Sequence, residues 1–219
     1  MKRVQRITEP SNLSTNKMTW TTDFINEVIR NRGYTGMNTT IRDRYNNQEV
    51  KNALKIMYSE KCCYCENRIG VEEYENIEHL KPKSSPNFHM LAFSWDNLHW
   101  CCGKCNKKKR ANWDSHYPIL DPTKDNPDNH LKMNIISGEI DHRSRRGKTT
   151  IKHAQLNRDE LVKARKRIID KLNTIFLMVQ STPTLKDDIN LKLLLDQFIN
   201  DDAEFGTLIK TYVENMSMV

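Results

Sequence analysis

The cysteines constrain the fold of this 219-residue chain more than any other feature, because all six lie in one short stretch. They form two clusters, Cys62, Cys63, Cys65 and then Cys101, Cys102, Cys105. Each cluster contains a Cys-x-x-Cys pair, and two such pairs can direct four thiolates to one point. We therefore predict a structural zinc ion at Cys62, Cys65, Cys102 and Cys105. Four sulfur ligands complete a tetrahedral sphere, so this ion would brace the fold and would not activate water.

The two remaining cysteines leave alternatives open. Cys63 and Cys101 do not fit the Cys-x-x-Cys spacing, and we expect structural thiols there, although each of them, and also His99, is an alternative ligand. A thiol redox pair is the main alternative to metal binding. The first ten residues lack the apolar stretch of a signal peptide, and the longest purely apolar run, 175–179, is too short for a membrane span. We expect a cytoplasmic protein that does not span the membrane.

Positive charge is concentrated in one part of the chain. Residues 101–171 contain 18 Lys and Arg against nine Asp and Glu, a net charge of +9, whereas the rest of the chain has a net charge of −2. With 37% hydrophobic and 29% charged residues, the composition is that of a soluble globular protein. A local excess of this size attracts polyanions and favours a nucleic-acid partner, with a solvated helix face as the alternative.

The patterning predicts an α+β protein, mainly helical, in three parts. Residues 1–60 form a helical lead segment with helices over Trp20–Arg32 and Glu49–Ser59. Residues 61–125 form the cysteine-rich core, with two knuckles and a short hairpin. Residues 126–219 contain loops and a hairpin, followed by a C-terminal helical region.

The helical region has recognisable start signals. Asn157 and Glu160 have the spacing of a capping box and precede a long amphipathic pattern with a basic exposed side. Two more amphipathic stretches follow Thr184 and Asp201, and we expect packing helices or a partner surface there.

Four residues between and directly after the cysteine pairs suggest a catalytic site. Glu78 and His79 are followed by Asn97, and Asn106 comes directly after the last cysteine. Individually, a Glu-His pair is usually a surface pair and a lone Asn a turn residue. Their joint order within two cysteine knuckles resembles the HNH nucleases, which have a ββα-metal core with a zinc-bound scaffold. The resemblance implies a small HNH core with a four-cysteine zinc site, flanked by N- and C-terminal helices.

The resemblance also implies roles for these residues. His79 would be the general base that takes a proton from water. Glu78 and Asn106 would supply oxygen ligands to a catalytic Mg²⁺ or Mn²⁺ ion. Asn97 would hold the loop that carries His79. We expect nucleic-acid contacts from seven basic residues, Lys81, Lys83, Lys107, Lys109, Arg110, Arg145 and Arg146.

Further sequence matches narrow the resemblance. The strings EHLKPKS, WDNL and YPILDP, and GKTTI followed by LNRDELVKAR, are similar to those of the nuclease subunits of Septu-type anti-phage systems, including those attached to retrons, over roughly residues 1–170. The similarity implies a defence effector that works with an ABC/SMC-like (PtuA-like) ATPase subunit. A retron reverse transcriptase and its DNA are further partners that it implies.

We expect phosphodiester hydrolysis of DNA, with RNA such as tRNA as the alternative substrate. The basic tract 143–171 would then be a substrate track or the ATPase dock. The rival hypothesis is a non-catalytic, zinc-dependent nucleic-acid-binding or adaptor protein.

Overall fold

The computed structural model describes residues 1–70, 74–181 and 203–216. About half of the chain is helical, and the described strands form two separate two-stranded sheets. In chain order the elements are α1 (Ser11–Arg30), α2 (Thr39–Arg42), α3 (Gln48–Met57), β1 (Glu75–His79), β2 (Leu98–Cys102), α4 (Gly103–Lys109), β3 (Leu131–Met133), β4 (Ile140–His142), α5 (Arg145–Ala154), α6 (Asp159–Ser181) and α7 (Gly206–Met216).

The centre of the molecule is built from β1, β2 and α4, in that order. The two strands pair antiparallel, with Glu75 opposite Cys102 at one end and His79 opposite Leu98 at the other. Every residue of β2 is buried, so this strand has protein on both faces. Helix α4 begins directly after β2, where the Cys102 sulfur accepts a hydrogen bond from the Cys105 amide at 3.4 Å.

The N-terminal helices cover this centre. Helix α3 begins at an N-cap, since the Asn47 side chain accepts a hydrogen bond from the Val50 amide, and its buried residue Leu54 lies on the side that packs against β2. Helix α1 inserts Phe24, which makes an edge-to-face contact with Phe93, their ring centroids 5.9 Å apart. Helix α1 therefore supports the connection between β1 and β2, which carries several of the predicted site residues.

The C-terminal half packs around the other side of α4. Helix α5 contacts both α4 and the β3–β4 hairpin. Gly147 of α5 lies against the chain at His130, and a Cβ there would overlap the His130 carbonyl oxygen. The close approach of α5 to the hairpin thus requires glycine at this position.

The structure confirms the mainly helical α+β class and corrects several details. Helix α1 begins at Ser11, well before the predicted Trp20, because Leu13 is fully buried and anchors the first turn. The prediction of a short hairpin is wrong, because the two paired strands β1 and β2 are joined by the long segment 80–97 and not by a tight turn.

The predicted capping box at the start of α6 is also wrong. The Asn157 side chain bonds the main chain of Ile140 on both its N–H and C=O sides, at 2.8 and 2.9 Å, so it fastens α6 to the hairpin. The stretch predicted after Asp201 corresponds to α7. The stretch predicted after Thr184 lies outside the described residues.

Candidate metal centre and active site

Four cysteines converge at one end of the β1–β2 pair. The sulfur atoms of Cys62, Cys65, Cys102 and Cys105 all lie within 4.8 Å of one another, and all four residues are buried. The Cys65 and Cys102 sulfurs are 3.9 Å apart. Zinc–sulfur bonds of about 2.3 Å in a tetrahedron separate the sulfurs by about 3.8 Å, so the spacing fits a metal ion of this kind. The four thiols can therefore hold a metal ion.

The extra cysteines form a smaller group beside this one. Cys63 and Cys101 lie with Cys62 in a set of three sulfurs, and the Cys62 and Cys101 sulfurs are 3.8 Å apart. This set lacks a fourth ligand among the described His, Cys, Asp and Glu side chains, and the Cys101 sulfur donates a hydrogen bond to the Cys102 carbonyl. The set of four from the two Cys-x-x-Cys pairs is therefore the better metal centre.

His99, the other alternative ligand, has different partners. Its Nδ1 atom lies 2.6 Å from the Tyr58 hydroxyl, and its Nε2 atom lies 3.4 Å from the Arg6 guanidinium. It belongs to neither of the metal-capable groups of the described residues. The structure therefore assigns His99 to the core beneath the N-terminal segment.

Two arginines lie next to the four cysteines: Arg158, directly before α6, and Arg165, within α6. The Arg158 guanidinium donates a hydrogen bond to the Cys105 sulfur at 3.4 Å. Burial, the largest single effect, lowers the pKa of Arg158, but the sulfurs of Cys105, Cys65 and Cys102 together outweigh it and raise the pKa. Arg165 is fully buried and donates to the carbonyls of Gly138 and Leu156. Four thiolates around a divalent ion leave a net negative charge, which nearby guanidinium groups offset.

The opposite end of β1 carries Glu78 and His79, both buried. The Glu78 carboxylate accepts a hydrogen bond from the Lys109 ammonium at 2.5 Å, and Lys109 also donates to the His79 carbonyl at 2.7 Å. Burial raises the pKa of Glu78 to about 7, although the Lys109 charge acts in the opposite direction. One ammonium group therefore only partly compensates the buried carboxylate.

The imidazole of His79 is held in one orientation. Its Nε2 atom lies 2.9 Å from the Ala92 carbonyl, and its ring meets the Tyr45 ring edge-to-face with centroids 4.6 Å apart. Because a carbonyl can only accept, Nε2 carries the proton, and Nδ1 keeps its lone pair in the neutral ring. Burial lowers the pKa of His79 to about 3, and the Lys83 charge adds to this effect. The ring is therefore neutral near pH 7, and Nδ1 carries no proton.

Asn97 clamps the segment that follows His79. Its carbonyl oxygen accepts from the Lys81 amide at 2.8 Å, and its amide nitrogen donates to the carbonyls of Lys81 and Leu91 at 2.9 and 3.1 Å. Asn97 thus bonds both sides of the Lys81 main chain, two residues after the imidazole.

Asn106 lies on α4 directly after Cys105 and is half-buried. It precedes Lys109 by three residues, so both side chains lie on the same side of the helix. Lys109 reaches Glu78, and Asn106 is therefore on the α4 face that meets the end of β1.

The seven predicted nucleic-acid contacts divide into two groups. Lys107, Arg110 and Arg145 are exposed, and Lys81 is half-buried. In contrast, the other three side chains each bond a carboxylate. These pairs are Lys83 with Asp43 at 2.7 Å, Lys109 with Glu78, and Arg146 with Asp125 through two bonds. Lys83 and Lys109 are buried, whereas Arg146 stays half-buried.

Sequence reasoning missed several residues around the site. Tyr45 and Asp43 come from the distant N-terminal part and had no recognisable motif. For Arg165 a signal was present, because Arg165 follows Leu161 by four residues and so falls on the buried face of α6.

Fold and site together define a small α+β protein with four buried cysteines that can hold a metal ion at one end of a strand pair and a buried Glu-His pair at the other. No family model matches the chain. It is 30% identical over 208 residues to Septu protein PtuB of Bacillus mycoides (strain KBAB4), covering 80% of this chain and 66% of the relative. It is 36% identical over 145 residues to Septu protein PtuB of Bacillus thuringiensis, covering 64% and 54%.

A third relative comes from a retron. The chain is 29% identical over 138 residues to a protein of retron Vc95 from Vibrio cholerae serotype O1 biovar El Tor, named as an HNH endonuclease, covering 56% of this chain and 64% of the relative. The chain thus spans between about half and two thirds of the length of these relatives. This chain belongs to the family of Septu PtuB-like proteins. None of its described helices has the length and apolarity that crossing a membrane requires.

Proposed function

We propose that this protein is a metal-dependent HNH nuclease that hydrolyses phosphodiester bonds, with residues 61–125 as its nuclease core, 1–60 as a helical lead segment and 126–219 as a C-terminal helical region. The observation that carries the proposal is the junction at Lys109, whose ammonium group bonds both the Glu78 carboxylate and the His79 main chain. It joins the end of β1 to the helix that presents Asn106. The relatives named Septu protein PtuB and HNH endonuclease support the same reaction class.

Two metal sites belong to this proposal. Cys62, Cys65, Cys102 and Cys105 would hold a structural zinc ion, which suits four buried thiols. Glu78 and Asn106 would hold Mg²⁺ or Mn²⁺ through oxygen atoms, the donors that these ions prefer. A buried carboxylate with a pKa near 7 favours additional positive charge, which fits a cation at this position. When bound, that cation would offset negative charge on the phosphate and the leaving oxygen.

The chain's own residues would carry the remaining steps. The Nδ1 atom of His79 would take a proton from the attacking water, since Nε2 is occupied by the Ala92 carbonyl. Asn97 is a positioning residue, because its amide fixes the main chain at Lys81. The exposed side chains of Lys107 and Arg110 on α4 would attract the phosphate backbone.

Substrate and partners follow from the family. We infer DNA as the substrate, with RNA such as tRNA as the alternative, and an ABC/SMC-like ATPase subunit of a Septu system as the partner. A retron reverse transcriptase and its DNA are a second association, favoured by the similarity to the Vibrio cholerae protein. A cytoplasmic location is part of the proposal, because all six cysteines are free thiols, as in a reducing compartment.

The test is a cleavage assay with the zinc-loaded chain, with and without the ATPase encoded beside it. DNA and RNA are each incubated in Mg²⁺ or Mn²⁺, and the His79→Ala variant serves as the matched control. We expect cleavage that requires the divalent cation and is lost in His79→Ala, while folding and nucleic-acid binding are retained. Binding without cleavage in every condition would favour the non-catalytic adaptor hypothesis, and equal cleavage by both chains would remove His79 from its role.

A further inference from the structure

Phe88 and Trp113 form a half-exposed aromatic pair beside the proposed active site. Their ring centroids are 5.4 Å apart in an edge-to-face arrangement. The Lys81 ammonium lies 5.7 Å from the Phe88 centroid and 5.8 Å from the Trp113 centroid. We propose that Lys81, Phe88 and Trp113 form a platform on which an unpaired base of the substrate stacks. That the phosphate next to this base is the one that is cleaved rests on the proposed nuclease function.

Both halves of this platform are anchored to site residues. Lys81 follows His79 by two residues, and Asn97 fixes its main chain on both sides. Trp113 follows Lys109 by four residues, and the intervening Asn112 amide donates to the Lys109 carbonyl at 3.0 Å. A base held against these rings would therefore lie near the Glu78–His79 end of β1.

The two rings are supported differently. Trp113 packs against the buried core and is thereby held in place. Phe88 lies on the 3₁₀ turn Pro86–Leu91, where Met90 is 65% exposed. Rigid aromatic rings offer contact area at a low cost in conformational entropy, which is why bases stack on such side chains in proteins that bind single strands.

The charge around the rings suits a nucleic-acid strand. Lys107, Lys108 and Arg110 are exposed on the neighbouring helix α4 and at its C-terminal end. Lys81 lies over both rings, and Arg110 precedes Trp113 by only three residues, so positive charge lies close in the chain to the apolar ring surface. This combination, a basic track with aromatic stacking surface, is typical of sites that bind unpaired nucleotides with little sequence preference.

The platform thus selects a substrate class. A base inside a continuous duplex is stacked on both sides and must be unstacked before it can meet a protein ring. Single strands, loops and frayed ends present bases without this cost. We infer that unpaired nucleotides of DNA or RNA are bound more tightly by this surface than a blunt duplex is.

The test measures binding separately from cleavage. The full zinc-loaded chain carrying His79→Ala, without added Mg²⁺ or Mn²⁺, is titrated into fluorescein-labelled 12-mers, and anisotropy gives the affinity. The probes are single-stranded DNA, single-stranded RNA, a blunt DNA duplex and an abasic single strand that keeps the phosphates. Trp113→Ala and Phe88→Ala are compared with Tyr74→Ala, which removes an aromatic ring that is 89% exposed next to the far end of β1.

We expect Trp113→Ala and Phe88→Ala each to weaken single-strand binding between about 5-fold and 100-fold, the range that loss of one stacked base implies. Affinity for the duplex and for the abasic strand should change less than about 2-fold, because neither presents an unpaired base. Tyr74→Ala should match the parent chain on all four probes. Comparing the DNA and RNA arms decides which strand the platform prefers.

Unchanged single-strand affinity in both ring variants, or an equal loss on the abasic strand, would overturn the platform. Trp113→Phe is the control for misfolding of Trp113→Ala. It keeps an aromatic ring at this position and should retain single-strand affinity within about 3-fold. A thermal melt of every variant accompanies the titrations. If the chain with His79 cleaves nucleic acid but the ring variants bind single strands as tightly as the parent does, only the platform is refuted. If the ring variants lose single-strand affinity but the chain with His79 cleaves nothing, only the nuclease function is refuted.

Discussion

The two ends of the β1–β2 pair are stabilised in different ways. At the Cys102 end, four sulfurs from two short sequence motifs meet within 4.8 Å of one another. At the His79 end, Asn97 and Lys109 donate hydrogen bonds to main-chain carbonyls, and the His79 ring donates one to the Ala92 carbonyl, so parts of the chain that are distant in sequence are joined. The comparison shows that two local motifs can bring four thiols to one point, where a metal ion could bind, whereas a buried polar site depends on packing contributed by the rest of the chain.

Loss of the cysteine centre should have the largest effect. Cys102→Ser or Cys65→Ser removes a ligand from a closed site, and binding of structural zinc in small domains contributes about 10–16 kcal/mol of apparent free energy. We expect loss of bound zinc and of the cooperative thermal transition, measured by metal analysis and circular dichroism. Cys63→Ser is the matched control, and it should keep one zinc ion per chain. A ligand variant that retains zinc and its melting transition would contradict the assignment.

Replacement of the imidazole should abolish chemistry and leave the fold intact. His79→Ala removes the proposed proton acceptor, and general-base catalysis accounts for about 10²- to 10⁴-fold in rate. We expect a loss of cleavage in this range under single-turnover conditions, with zinc content unchanged. Such a result would separate the two ends of the sheet functionally. A concurrent loss of zinc would instead mean that the two ends are coupled.

Removal of the clamp should have an intermediate effect. Asn97→Ala deletes three hydrogen bonds and leaves the part-buried N–H and C=O groups of Lys81 unpaired, while the Leu91 carbonyl keeps its bond from the Ser94 amide. Each unsatisfied group costs about 1–3 kcal/mol, so we expect the free energy of unfolding to fall by at least about 2 kcal/mol in urea denaturation. If the clamp positions His79, the cleavage rate falls while the affinity for nucleic acid is kept. An unchanged rate would limit Asn97 to a structural role.

Mild acid should produce the smallest effect and should act at the His79 end. The pKa of His79 is lowered to about 3 in the folded chain, against an ordinary value of 6.5. The unfolded chain therefore binds an extra proton at this residue as the pH falls below 6.5, and the contribution of the buried His79 ring to stability is lost in that direction. Glu78 acts oppositely in the same interval, because its pKa is raised to about 7 in the folded chain. Between pH 6.5 and 5 the loss is about 2 kcal/mol for this one group.

A pH series of urea denaturation on the parent chain and on His79→Gln measures this contribution. The variant should lose less stability across the interval than the parent chain, while the opposite contribution of Glu78 and any acid effect on the thiolates are common to both chains. Parallel pH profiles would show that burial of the ring does not control acid stability.

The cysteine clusters by themselves predicted which thiols could share a metal ion, because the spacing within a Cys-x-x-Cys turn is local and leaves little freedom. The mainly helical α+β class also followed from the sequence, since the amphipathic periods of α3, α6 and α7 are regular. The order of Glu78, His79, Asn97 and Asn106 predicted a candidate site, and similarity to PtuB proteins showed the family.

Only the tertiary structure decided which basic side chains reach solvent. Lys107 and Lys109 are neighbours on the same helix, yet Lys107 is exposed and Lys109 is fully buried against Glu78. Likewise, Arg165 is buried against main-chain carbonyls, and Tyr45 packs on His79 from a segment more than 30 residues earlier. A charge pattern cannot distinguish these cases, because the burial of an ion depends on whether a distant carboxylate or carbonyl meets it after folding.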